Sequence, residues 1–401
     1  MDWKRWITAR FWTRSRTASE PEPVQAPEIT LPPATKPETL GAAAHEPPRD
    51  ENTLGGLGAK AVCLALWLEK NPGEGEDASP LVEKVAGDDA ATLLGVFDGL
   101  GGAGAQTVVS PDGTHRSGAY LASRLVREIC RDYFDAYELR MVDNPEPFVR
   151  DLKVQLDIAL QAESGGVART NSRLRGTLVN QLPTTLALAH VRERRDGTAR
   201  ILAIWAGDSR VYRLGLRTGL AQLTEDDLQT PGDAFDNLTN DSPMSNFISA
   251  SRTYHLNYRE VTLALPCVLL AATDGCYDYL PTPMHWEYLL LATLLRNNTV
   301  DEWRRDLAQR LEKVAGDDVS LALVGLGFES LGDLKMALAG RFSVMNRNYI
   351  APYQEEMSFI NESHSGTAQE RARRQRMIGR ALWKQYKAGY EWDGFPIRQE
   401  G

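Results

Sequence analysis

The residues best suited to chemistry are aspartates at the ends of apolar runs, each beside a glycine. Asp98-Gly99 follows Leu93–Phe97, Gly207-Asp208 follows Ile201–Ala206, and Asp274-Gly275 follows Val268–Thr273. In the inverted case, Gly316-Asp317-Asp318 opens the run Val319–Gly325, and the acidic stretch Glu74-Gly75-Glu76-Asp77 lies upstream of the first pair. A single aspartate at a strand end is ordinarily a turn-former. Several converging on one sheet edge repel each other unless a cation intervenes. An oxygen donor set without His or Cys at ligand spacing selects hard ions, Mg2+ or Mn2+. The adjacent glycines let the backbone approach such an ion and offer it a carbonyl.

Other chemistries lack their residues. The chain has no Gly-Lys dipeptide for a phosphate loop, no G-x-S-x-G, no H-E-x-x-H, and no cysteine followed six residues later by arginine. Gly99–Gly104 resembles a dinucleotide loop only weakly. Asp98 sits where a pyrophosphate wants amide donors, and the next helical pattern starts only near Ser117. The four cysteines, Cys63, Cys130, Cys267 and Cys276, form no CxxC pair and read as reduced, mostly buried thiols. A net charge of −9 argues against nucleic acid as a partner. No apolar run is long enough to span a membrane, and the first residues do not form a secretory signal, so a cytoplasmic protein is expected.

The elements that must position these acids are branched apolar runs: Ala61–Leu68, Thr92–Phe97, Leu186–Val191, Ile201–Trp205, Arg210–Leu214, Val268–Ala272 and Val319–Gly325. Helical patterns at Ala119–Arg140, Pro147–Ala162, Met284–Arg296 and Val300–Val314 come in pairs rather than after every strand. That order disfavours a parallel βαβ sheet and favours antiparallel sheets covered by helices, an α+β fold. Residues 1–16 are basic and aromatic, suited to an anionic membrane surface or a partner groove. Residues 17–55 are rich in Pro and Glu and read as a disordered linker. Residues 56–328 form the body, and 329–401 a C-terminal extension. In that extension Gln369–Tyr386 is a basic amphipathic helix, able to dock on an acidic partner, a membrane or the acidic body of its own chain. The acidic stretch Gly215–Asn246 reads as a loop that could gate the site.

In chain order stand Glu76-Asp77, V-F-D-G-x-G-G from Val96, T-T-L-A-L from Thr184, A-G-D-S-R-V-Y-R-L from Ala206, L-T-E-D from Leu223, L-A-A-T-D-G-x-x-D from Leu270, and D-D-V-S-L from Asp317. Over about Ala61–Gly327 this series resembles the metal-dependent Ser/Thr protein phosphatases of the type 2C class, in their bacterial form. The resemblance implies a four-layer αββα sandwich of two antiparallel sheets flanked by helix pairs. It implies two Mg2+ or Mn2+ ions held by Glu76, Asp98, the Gly99 carbonyl, Asp274 and Asp317, with Asp98 bridging. Asp208 matches a residue that helps hold a third ion, and Asp77 and Asp318 stand behind the ligands. Asp98, Asp274 and Asp317 become the catalytic set, and a hydroxide shared by the ions attacks the phosphorus of a phosphoserine or phosphothreonine in a phosphoprotein substrate. Leu100 stands where the family often has His, so a metal-bound water must protonate the leaving group, or turnover is slow. No arginine stands in the segment Glu69–Glu74 just ahead of Glu76, so Lys70 is the nearest candidate for gripping phosphate, without the bidentate fork of arginine. That lack, with the tails, motivates an alternative: a phosphatase-fold regulatory module with little turnover.

Overall fold

The computed structural model describes residues 62–85, 91–104, 107–109, 115–137, 144–166, 182–238, 242–362, 367–391 and 397–399. Segments 1–16 and 17–55 lie outside the described residues.

One sheet is built from β1 (Val62–Leu68), β6 (Arg210–Gly215), β7 (Gly219–Gln222), β9 (Cys267–Ala272) and β10 (Val319–Leu326), in the order β1-β10-β9-β6-β7. A second is built from β2 (Leu81–Val85), β3 (Ala91–Val96), β4 (Leu186–Glu193), β5 (Thr198–Ala206), β8 (Asn257–Ala264) and β11 (Arg398–Gln399), in the order β11-β8-β5-β4-β3-β2, and a two-stranded ribbon pairs Thr107–Val109 with His115–Ser117. Every pairing in the two sheets is antiparallel.

The continuous apolar runs follow from burial on both faces of a strand. Leu94, Val96, Ala187, Ala189, Ile201 and Ala203 point between the sheets, where they meet Leu269, Ala271, Ala322 and Val324. Their alternating neighbours Leu93, Leu186, Leu188, Leu202 and Ile204 face a helical layer instead. That layer is α1 (Gly118–Tyr137) and α2 (Pro145–Gly166). Ala122, Val126, Cys130 and Phe134 recur at one-turn spacing on α1, as Leu152, Leu156 and Leu160 do on α2, so each helix buries one stripe. The Tyr133 hydroxyl ties the pair by donating to the Phe148 carbonyl at 2.9 Å.

The opposite layer holds α3 (Pro283–Arg296) and α4 (Val300–Glu312). Nearly every α3 residue is buried, because α4 lies on one side and the C-terminal extension on the other. That extension comprises α5 (Leu331–Met345), α6 (Ala351–Glu362) and α7 (Ala368–Tyr390). It docks on the body through Glu287 of α3. The fully buried Glu287 carboxylate receives Arg341 Nε at 2.5 Å, the Tyr386 hydroxyl at 2.5 Å and the Leu220 amide at 2.9 Å. Of the destinations open to the basic helix, its own body receives α7: Leu382, Trp383, Tyr386 and Tyr390 are buried, whereas Arg371, Arg373, Arg374 and Arg376 are exposed.

The register sets the site. Val96 pairs with Ala187, and Ala206 with Leu186, so β3 and β5 end at the same edge. Leu68 pairs with Val319, and Ala272 with Leu321, so β1 and β9 end where β10 begins. The turns bearing Glu76, Asp98, Asp208, Asp274 and Asp317 leave the strands from these edges.

Candidate metal centre

Carboxylate oxygens of Asp98, Asp208 and Asp274 lie within 4.8 Å of one another. Backbone contacts fix the three turns that carry them. The Asp98 carbonyl accepts from the Thr185 amide at 2.8 Å and the Thr184 hydroxyl at 2.7 Å. Thr185 and Ser209 hydroxyls meet at 2.7 Å, joining the Asp98 and Asp208 turns. Tyr277, just after Asp274, donates its hydroxyl to the Asp208 carbonyl at 2.8 Å. The Asp274 turn packs so tightly on its neighbour that a Cβ at Gly275 would lie 1.8 Å from the Asp318 carbonyl oxygen.

The remaining acids surround this trio. Glu76 reaches the glycine turn after Asp98, where a Cβ at Gly101 would sit 1.7 Å from Glu76 Oε2 and one at Gly99 2.4 Å from the Glu76 carbonyl oxygen. The buried Asp318 carboxylate accepts from the amides of Lys70, Glu76 and Asp77 at 2.8, 2.5 and 3.2 Å. It anchors the loop that presents Glu76. Asp77 is buried beside it, and Asp317 is exposed at the rim.

Electrostatics shows the cost of the arrangement. Burial, then the charges of Asp77, Asp274 and Asp208, push the Asp98 carboxyl well above its usual range. Burial, then Asp208, Asp278 and Asp317, do the same to Asp274. Asp208 is pushed up to about 6 by burial and then Asp226. Asp278 is pushed up to about 7 by burial, with Asp208 and Asp226 adding and Arg210 opposing. Asp208 Oδ1, Asp77 Oδ2 and Asp278 Oδ1 are buried with no hydrogen-bond partner among the described residues. Buried carboxylate oxygens without donors, crowded by like charges, fit a hard divalent cation.

Several functional features escape sequence reasoning. Asp208, expected as a ligand of a possible third ion, places a carboxylate oxygen within 4.8 Å of those of Asp98 and Asp274, as they are of each other. Asp278, the last residue of the L-A-A-T-D-G-x-x-D series, joins the same charge cluster. Lys70 is exposed, and its part in Asp318's anchoring is played by its backbone amide. The guanidinium groups nearest the Glu76 loop come instead from Arg116 and from Arg124 on α1. Arg116 Nη1 donates to the Gly73 carbonyl at 2.7 Å, and Arg124 Nη2 to the Gly75 carbonyl at 3.2 Å. With Tyr120 and Trp67 they line a cavity of about 280 Å3.

An oxygen-only acidic centre at one end of an antiparallel double sheet, framed by this motif series, defines a metal-dependent phosphatase. The match to the protein phosphatase 2C family model runs over residues 77–314, more than half of the chain. The chain belongs to the protein phosphatase 2C family. The matched span contains Asp98, Asp208 and Asp274; Glu76 lies one residue ahead of it and Asp317 beyond its end. No curated protein matches the chain. Among solved structures it is similar to a bacterial serine phosphatase at 18% identity, covering 68% of this chain and 100% of the other, with a TM-score of 0.48. It is similar to the serine/threonine phosphatase Stp1 of Staphylococcus aureus at 17% identity, covering 68% and 96%, with a TM-score of 0.46. A third is the catalytic domain of the serine/threonine protein phosphatase PstP, solved with two manganese ions, at 17% identity, 66% and 98% coverage and a TM-score of 0.42.

Proposed function

We propose that this phosphatase hydrolyses phosphoserine or phosphothreonine in a protein substrate, using two Mg2+ or Mn2+ ions held at the carboxylate cluster. The reading takes the cytoplasm as its place of action. The observation that carries it is the convergence of Asp98, Asp208 and Asp274 within 4.8 Å, on turns locked from both sheets. Asp98, Asp208 and Asp274 are the inner ligands, and Glu76, the Gly99 carbonyl and Asp317 extend the donor set toward the rim. When bound, the cations neutralise phosphoryl oxygens and acidify water, so no covalent enzyme intermediate is needed. The chain's own part is to hold the oxygens in place before the ions arrive: Thr184, Thr185 and Ser209 fix two turns, and Asp318 fixes the Glu76 loop. Arg116, whose guanidinium reaches the Glu76 loop at the Gly73 carbonyl, is the cation we assign to orienting a substrate phosphate.

The test is Mn2+-dependent release of phosphate from a phosphothreonine peptide, wild type against Asp98→Asn and Asp274→Asn. The expected result is metal-dependent release that falls by about a hundredfold or more in both folded variants, the scale on which ligand loss acts. A wild type inert at millimolar Mn2+, yet binding the metal, would favour a regulatory module instead.

A further inference from the structure

We infer that the C-terminal helix α7 is a positioning element of the metal centre: it clamps the acidic loop 223–238 onto the turn that carries Asp208. The inference rests on the metal reading of the cluster and extends it to a segment outside the family match, which ends at residue 314.

Two continuous routes connect helix and turn. In the first, Arg380 Nη1 meets both carboxylate oxygens of Asp233 at 2.9 Å, its Nη2 bonds to Asp236, and Lys387 Nζ lies 3.3 Å from Asp233. Asp233 caps the short helical turn Ala234–Asn237 by accepting from the amides of Phe235 and Asp236. Phe235 is buried under the helix, where a Cβ at Gly379 would come within 2.9 Å of its ring. From this turn Asn237 Nδ2 donates to Asp226 at 2.7 Å, and Asp226 receives the fork of Arg210 at 2.8 and 2.6 Å. The next residue completes the staple: the Asp227 amide donates to the Gly207 carbonyl at 3.1 Å, and the Gly207 amide returns a bond to Asp227 Oδ2 at 3.0 Å. Asp208 lies between the two stapled residues, Gly207 and Arg210.

The second route enters from the end of the helix. The Tyr390 hydroxyl donates to the Tyr212 hydroxyl at 3.3 Å, and Arg210 Nη1 donates to the same oxygen at 3.2 Å. Arg210 lies over the Tyr277 ring at 4.2 Å, and Tyr277 holds the Asp208 carbonyl. Exposed ion pairs contribute little individually. Here, however, the partly buried Arg380 pairs lead to the Arg210–Asp226 pair, whose side chains are 3% and 4% exposed. A group that orients a ligand without touching the ion still governs affinity.

The experiment compares full-length wild type, Arg380→Glu/Lys387→Glu and the conservative Arg380→Lys, with Tyr390→Phe as a variant that removes a single hydroxyl. Mn2+ binding is read by titration calorimetry without substrate, and loop protection by limited proteolysis within 223–246. The double variant should bind the weakest Mn2+ about tenfold less tightly and be cut in the loop several times faster, while Arg380→Lys restores most of both. Tyr390→Phe should shift both readouts in the same direction by a smaller factor, and it carries the test if the double variant does not fold. A folded double variant with wild-type Mn2+ affinity and loop protection overturns the inference. If wild type binds no Mn2+, the metal reading fails by itself, and faster loop cleavage in the variant still shows the clamp.

Discussion

Replacing Asp208 by Asn should make the metal-free protein more stable while weakening its hold on metal. Three carboxylates within 4.8 Å repel each other by about 3–4 kcal/mol per pair at an effective dielectric near 20. The Asp208 carboxyl is itself pushed up to about 6, by burial and then by Asp226. Ionising it near neutral pH costs about 3 kcal/mol more than ionising an ordinary aspartate, and solvent screening at this partly open site reduces that to about 1–2 kcal/mol. The sign follows from linkage. Between the ordinary aspartate range and about 6, the folded state holds a proton that the unfolded state has released, so stability falls as pH rises through that window. Asparagine keeps the shape and removes the ionisation. In EDTA at pH 7.5 the variant should therefore melt about 1–3 °C above wild type, and the gap should nearly close at pH 4. In Mn2+ the order should reverse, because ligand binding stabilises only the protein that binds it. Thermal unfolding by far-UV circular dichroism at both pH values, with EDTA or Mn2+, reads all of this. A metal-free variant less stable than wild type at pH 7.5, or a gap independent of pH, would refute the repulsion argument.

Glu287→Gln leaves the buried Arg341 guanidinium without a counter-charge and should cost about 3–5 kcal/mol in urea denaturation; a loss below 1 kcal/mol would show that α5 and α7 do not depend on this anchor. Arg116→Ala should raise KM for a phosphopeptide about tenfold with kcat nearly unchanged, the signature of lost uniform binding, and an unchanged KM would remove Arg116 from phosphate recognition. Gly101→Ala drives a methyl into Glu76 Oε2 and should lower metal affinity with little loss of thermal stability; wild-type Mn2+ binding in this variant would place Glu76 outside the donor set.

The strands buried on both faces were legible because burial on both sides leaves an uninterrupted apolar run, as in β5 and β10. Strands with polar content were not. β2 carries Glu83 and Lys84, and β8 alternates polar residues, among them Glu260, which pairs with Arg200 across the sheet. The aspartates at strand ends were legible as a pattern, since an acid at the end of a core strand has few structural reasons to recur. Their ranking was not, because Asp208 meets Asp98 through the register of β3, β4 and β5, and Asp274 arrives from the other sheet. The work of Asp318 was hidden for a similar reason: its amide partners stand more than 240 residues away in sequence. The arginines beside the Glu76 loop were missed because they arrive from α1 and the residues just before it, rather than from the loop itself. Within the acidic stretch read as a loop that could gate the site, Asp226 is held by Arg210 and Asp233 by Arg380, contacts that sequence spacing does not reveal.

The central claim is that Asp98, Asp208 and Asp274 hold divalent cations together. Anomalous diffraction from crystals grown with Mn2+ tests it directly. The account predicts manganese peaks within about 2.0–2.3 Å of oxygens from these three residues, with Glu76 or Asp317 completing a coordination shell. Manganese absent from the cluster at saturating concentration, or bound only elsewhere, would contradict it.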